Sequence, residues 1–232
     1  MDVMVFELRG PLAHFRRPDT TSTHATYPFI TRTALRGLLA AILGRETWPE
    51  DSWTGVSLVH PVQTRVQQLS MLGKGFLESG PMFNRPTAVE MVVNPHYRIY
   101  YSGPLIDELA TWVSQGRSTY PTYLGSAFAL TYPEWEGRYQ LREWGAEGLV
   151  PKPLVTVIPV HAVTEIEPEP GVSFARVGGV LYQALDGRRF RGTMAFIYER
   201  NLRPYRVKVA HQVHPAVRFV YTPDETGLIA LW

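Results

Sequence analysis

The 232-residue sequence contains no cysteine. That removes disulfides, thiolate-held zinc, iron–sulfur clusters and thiol nucleophiles together, and it fits a reducing compartment. Lysine is nearly missing as well, with three residues against twenty arginines in a chain of formal net charge +2. No apolar run approaches the ~20 residues that a membrane-spanning helix needs. Met1-Asp2-Val3-Met4 lacks the basic opening of a signal peptide. The chain therefore reads as soluble and cytoplasmic, with no membrane partner. Also missing are a phosphate-cradling loop ending in Gly-Lys-Ser/Thr, a dinucleotide glycine fingerprint after a strand, and a nucleophile elbow. Nucleotide hydrolysis and esterase chemistry thus have no support. The only close histidine pair, His211 and His214, stands beside Pro215 with no carboxylate nearby, so neither a metal nor any other cofactor is expected.

What is present describes a folded protein. Hydrophobic residues make up 45% and aromatic residues 12%, above the level of disordered chains. Residues 3–8 read as a strand, closed by Gly10-Pro11, and a long loop follows to residue 30. The clearest helix spans residues 31–43. Leu35, Leu38, Leu39 and Ile42 form its apolar stripe, and Gly44 stands where a left-handed cap belongs. Gly37 interrupts that helix, which suggests close packing against a strand. Strand-prone stretches follow at 54–68 and 88–101, with a protruding, glycine-jointed excursion between Leu69 and Pro86. A shorter helix at 105–113 and a fourth strand at 122–131 complete a β-α-β-β-α-β order. Residues 133–153 have no sustained period, and the remainder reads as β strands, with a hairpin turn at Asp186-Gly187. The expected fold class is α+β: a ferredoxin-like or RRM N-terminal domain over 1–147, then a small β-rich domain over 148–232.

Arginine binds phosphate bidentately and stacks on bases, so its excess over lysine suits a nucleic-acid partner. GC-rich codon usage produces the same bias, and both explanations stay open. Within the long loop, Asp19 is the only acid between residues 10 and 45. Arg32 and Arg36 lie one turn apart, off the apolar stripe and near the helix N-terminus. A cation there opposes the helix dipole unless an anion stands beside it. They are either two solvated arginines or part of a phosphate site. Arg188 to Arg191 form a second basic patch, facing either solvent or an acidic partner. An RNP-type stacking strand is absent: Lys74-Gly75-Phe76 begins like one, but Leu77-Glu78-Ser79 departs from it. Any RNA contact is therefore expected on loops and the protruding segment, rather than on a sheet face.

Two stretches taken together are more specific. Gly10-Pro11-Leu12-Ala13-His14-Phe15-Arg16 and Thr26-Tyr27-Pro28 lead into Thr33-Ala34-Leu35-Arg36-Gly37-Leu38-Leu39. Asn94-Pro95-His96-Tyr97-Arg98 and Tyr123-Leu124-Gly125-Ser126 follow in order. Over roughly residues 3–130 the chain resembles the CRISPR-associated "Cas five" family, RAMP subunits of Cascade surveillance complexes, and its type I-B members especially. The resemblance implies a β-hairpin thumb, assigned to about 66–88, inserted in the RRM-like domain. It also implies a non-catalytic subunit that holds the 5′ handle of the crRNA. Its partners would be the backbone subunit, the large subunit and, in the assembled complex, target DNA. The residues implied in RNA binding are His14, Phe15, Arg16, Arg17, Tyr27, Arg32, Arg36, Arg65, Lys74, Arg85, Arg98 and Ser126. In one subtype, members of the family themselves cut precursor crRNA with a Tyr, Lys and His group. The alternative is thus a metal-independent endoribonuclease using Tyr27 and His96, although no adjacent Lys-His pair is present. At Ser126 the chain departs from the family, where a basic residue is often seen.

Overall fold

A computed structural model describes the chain except for residues 21–22, 74–82, 147, 185–189 and 211–214. It has seventeen strands and two α-helices among the described residues, a mixed α+β architecture. Strand β1 (Asp2–Arg9) is followed by the short β2 (Leu12–Ala13) and β3 (Thr23–His24), and then by helix α1 (Arg32–Leu43). Next come β4 (Trp53–Leu58), β5 (Thr64–Gly73), β6 (Phe83–Val93) and β7 (His96–Ser102). Helix α2 (Ile106–Ser114) and β8 (Glu134–Gln140) complete this part. The C-terminal strands are β9 (Glu143–Trp144), β10 (Gly148–Leu149), β11 (Ile158–Pro159), β12 (Val163–Ile166) and β13 (Phe174–Ala184). They continue with β14 (Phe190–Glu199), β15 (Val207–Val209), β16 (Arg218–Tyr221) and β17 (Leu228–Leu231).

Helix α1 forms where its sequence predicts. Thr31 accepts the Ala34 amide at its N-terminus, and Gly44 closes the other end at φ +67°. Its stripe of Leu35, Leu38, Leu39 and Ile42 lies in the main core. One expectation about this helix is corrected: a Cβ added to Gly37 would meet nothing within 4 Å, so the glycine faces open space rather than a strand.

The main sheet is antiparallel, in the order β4-β7-β1-β8. Two strand boundaries differ from the sequence reading. The stretch 88–101 divides at Asn94-Pro95, whereas 54–68 divides at the Pro61 break that its sequence carries; in each case the halves join different sheets. The fourth strand is β8, at residues 134–140 rather than 122–131. Alternation along β8 is masked by its edge position, where most side chains face water. Strands β5 and β6 pair from Thr64 with Val92 to Gly73 with Phe83, so the described ends of the excursion, residues 69–73 and 83–86, are paired strand. Both β2 and β3 line the other edge of β6.

One face of the main sheet, with Met4, Phe6, Leu8, Tyr97, Ile99 and Val56, packs on the helices. The opposite face is covered over Val3, Val5 and Tyr100 by Val220, Ile229 and Leu231 of β16 and β17. The main core also takes in Val157, Val177, Val180, Met194, Phe196 and Trp232. Buried clusters therefore cross residue 147, and the two halves of the chain share their cores.

Arg32 and Arg36 depart furthest from expectation, and the correction has a plain physical reason. Both are buried, at 5% and 8% exposure. Arg36 donates to the carbonyls of Trp48 at 2.6 Å and Pro49 at 3.0 Å. Arg32 donates to Ser52 O at 3.0 Å and to the main-chain oxygen of Trp232 at 3.3 Å, and its guanidinium lies over the Tyr182 ring. Carbonyl dipoles of the protein's own chain occupy the place where a phosphate was expected. Burial pulls both guanidinium pKa values down, against the opposing effect of Glu50. Replacing Arg32 by Met should lower the unfolding free energy by about 2–3 kcal/mol, because Ser52 O loses the Arg32 donor and the Trp232 oxygen keeps only those of Thr54. Lysine should not restore it, since it lacks the planar fork. Urea unfolding checks this; an unchanged midpoint would show that the carbonyls are satisfied otherwise.

Candidate nucleic-acid interface

The residues singled out in the sequence fall into four groups. Phe15 and Tyr27 are core residues. Phe15 packs on Tyr97 with 6.2 Å between ring centroids, and the Tyr27 hydroxyl donates to Gly179 O. Neither ring faces solvent to stack on a base. His14 is also buried; its Nδ1 bonds Glu90 O at 2.7 Å, while its Nε2 finds no hydrogen-bond partner among the described residues.

A second group is ion-paired. Arg17 grips Asp19 through two bonds, at 3.2 and 2.7 Å. Arg98 bridges Glu7 at 3.0 Å and Glu136 at 2.7 Å on the outward face of the main sheet, where His96 also bonds Glu7 at 2.7 Å. That face is thus partly roofed by C-terminal strands and elsewhere lined by paired charges. Partial burial would raise the Glu7 carboxyl, but the His96 bond and charge, with Arg98, outweigh it and hold it below its ordinary value. His96 stands on the outward face while Tyr27 belongs to the core on the helical side, so the proposed nuclease pair is not brought together.

The third group shares one surface. On β5 and β6, Arg65 pairs with Met91, and Arg85 pairs with Met71. Alternation puts both arginines on the same face of the hairpin, roughly 20 Å apart at six residues of strand rise. His24 lies in parallel register with Val89, two pairs of residues from Arg85, and so on that same face. Arg16 follows His14, whose ring stacks on His24 at 6.4 Å, and Arg16 bridges back to Thr26. Arg16, Arg65 and Arg85 are exposed and His24 is half-buried. The nearby acids are engaged, Asp19 by Arg17 and Glu90 by the Thr26 amide at 3.1 Å. The result is a basic face at the root of the hairpin. Lys74 lies outside the described residues, as do Arg188, Arg189, His211 and His214.

The fourth group is a neutral ribbon between α2 and β8. From Ser118 to Pro133 no residue is charged. Tyr123 and Leu130 bridge antiparallel, and Thr131 N donates to Thr122 O at 3.0 Å. The inward side chains, Thr122, Leu124, Ala129 and Thr131, are buried, with Thr131 Oγ1 donating to Arg9 O at 2.8 Å. The outward ones are exposed: Tyr123, Leu130 and Tyr132, with Phe128 at the tip and Tyr120 at the base. Ser126 sits half-buried at the tip, beside His14 O. Gly125 has φ +83°, and a Cβ there would lie 2.2 Å from His14 O, so this approach requires glycine. Sequence reading took the ribbon for a core strand; the charge-free run of tyrosines was the available signal.

Among the described residues no three His, Asp or Glu side chains gather to hold a metal ion, and no helix is long and apolar enough to cross a membrane.

Residues 3–69 match a family described as CRISPR-associated protein (Cas_Cas5). No curated protein matches the chain. Among solved structures, a chain of a CRISPR RNA-guided surveillance complex is 14% identical, with a TM-score of 0.55 over 89% of this chain and 91% of that one. A CRISPR protein from Archaeoglobus fulgidus is 9% identical, with a TM-score of 0.57 over 99% of both chains. At these identities the likeness is one of fold. The family match itself is confined to the N-terminal residues 3–69.

The buried groups set the acid limit of stability. Burial pushes the His14 imidazole below its ordinary 6.5, with the Arg16 charge acting in the same direction against the Glu90 bond. The unfolded chain then binds that proton more readily, so stability falls as pH drops below about 6.5. Glu7 acts lower down: its contribution is present above the ordinary carboxylate range and is lost as pH falls through its lowered value. The urea midpoint should decline in two stages between pH 7.5 and 3.5. His14→Asn should flatten the upper stage and Glu7→Gln the lower; a wild-type midpoint constant down to pH 5 would contradict the first.

Proposed function

We propose that this protein is a non-catalytic crRNA-binding subunit of a type I-B-like CRISPR surveillance complex. It holds the 5′ handle of the crRNA at the root of the β5–β6 hairpin. The observation that carries this reading is the segregation of cations. Arg32 and Arg36 are buried, while Arg16, Arg65 and Arg85 share one exposed face with His24. A single strand is held by cations spaced along its backbone, and this face offers such cations with no carboxylate on it among the described residues.

The strand order β4-β7-β1-β8 supports reading the N-terminal part as ferredoxin-like, with the β5–β6 hairpin as the thumb. The exposed Val66 and Leu72 on the hairpin's other face give it an apolar side with which to wedge between neighbours. The backbone and large subunits are the proposed protein partners, with target DNA entering the same assembly, and the cytoplasm is its place of action. The neutral ribbon supports the protein-contact half of this reading. Aromatic residues enriched and charges depleted at one patch are the composition of an interface core, and phosphates would find no counter-charge along it.

Arg16→Glu, Arg65→Glu and Arg85→Glu should each weaken binding of labelled CRISPR-repeat RNA. Each should also lower the slope of log affinity against log salt by about 0.7, the loss of one phosphate contact on a single strand. Filter binding from 50 to 300 mM salt measures both, in EDTA so that any cleavage is seen as metal-independent. Unchanged slopes in all three would end the assignment of this face. Replacing Tyr123, Leu130 and Tyr132 together by Ser should leave RNA binding and thermal unfolding intact while impairing assembly with the other complex subunits. Assembly at wild-type yield would remove the ribbon from the interface.

A further inference from the structure

His24 is the one titratable group on the basic face that changes charge near neutrality. It lies on β3, at the edge of β6, with His14 stacked against it from the strand before and Arg16 beyond. The groups acting on it are Arg16, His14 and Arg85, all cationic or able to become so. From β6, the Glu90 carboxylate is held by the Thr26 amide, and Asp19 in the intervening loop is held by Arg17. In the free protein, burial and then these three groups depress the imidazole pKa, so His24 is neutral at pH 7 and adds nothing to the grip.

We propose that Arg16 and His24 form one phosphate site for the RNA backbone, and that His24 enters it as the imidazolium, so that RNA binding takes up a proton. The proposal rests on the RNA-binding reading above and adds to it a residue that reading does not need. A phosphodiester set between a guanidinium and an imidazole reverses the sign of the local field. The charge that makes His24 shed its proton is neutralised, and an imidazole Nε2–H or Nδ1–H can donate to a phosphate oxygen. The proton comes from solvent, and no covalent step is involved. Linkage then requires affinity to rise as pH falls, between the raised pKa of the complex and the depressed pKa of the free protein, and to level off below the latter. His14 does not substitute for His24: it is buried, and its Nδ1 is committed to Glu90 O.

The test is the affinity of the full-length protein for labelled CRISPR-repeat RNA from pH 8 to pH 5.5 at fixed ionic strength. Three variants accompany the wild type: His24→Gln, neutral throughout, His24→Lys, charged throughout, and His14→Asn. Wild type should tighten as pH falls, by at most about tenfold per unit for one proton. His24→Gln should bind at the wild-type pH 8 level across the range, and His24→Lys at the low-pH level. His14→Asn should keep the wild-type rise. His24 is partly exposed, so these variants leave the fold intact, which a thermal midpoint within about 2 °C of wild type, less than a 1 kcal/mol change produces, would verify. A flat wild-type profile, or a rise that survives in His24→Gln, overturns the inference while leaving the RNA-binding reading in place. Absence of RNA binding at every pH overturns both.

Discussion

Two buried arginines hold the molecule together. Arg32 and Arg36 enter the first turns of α1, where the helix dipole is already positive and no acidic side chain stands in the first turn. They are tolerated because the turn before β4 folds its carbonyls toward them and the main chain of Trp232 reaches the same place. That arrangement ties together the helix, the entry to the main sheet and the last residues of the chain. Thr54 and Trp232 exchange main-chain hydrogen bonds alongside it, and the Trp232 ring packs on Phe196 of β14. The C-terminal strands are thereby fixed against the main sheet, and a cation pair that looks like a ligand site becomes a structural joint.

The consequence for function is that the main sheet has no free face for RNA. Its helical side is core, and its other side is partly roofed by β16 and β17. The part left open carries Glu7, Arg98 and Glu136 as a closed set of ion pairs. An exposed basic face lies instead on the second sheet, where β2, β3 and β5 gather around β6. Placing a basic face on a projecting hairpin rather than on the central sheet lets the rigid core support the site without being part of it.

The apolar surface follows the same separation. The ribbon from Tyr120 to Tyr132 buries its threonines, Leu124 and Ala129 against β1 and the segment after β2, and turns its large side chains outward. It lies beside β8, the open edge of the main sheet among the described residues. A neutral surface and a basic surface on one small protein suit a subunit that touches protein on one side and nucleic acid on another.

The local rules in the sequence determined α1, its Thr31 and Gly44 ends, α2 within a residue, and the main strands, because these depend on period and capping within a few residues. They also carried the N-terminal signature, whose residues lie within the family match over 3–69. Tertiary structure alone decided which arginines are available. Arg16 and Arg36 look alike in sequence, yet one is exposed and the other is closed in by carbonyls more than ten residues away. It also decided that Thr122 to Thr131 is a ribbon and that β8 supplies the fourth strand, since an edge strand facing water loses the alternation that would announce it. Hydrophobic period reports what a segment buries, and it is silent about which distant chain arrives to satisfy a charge.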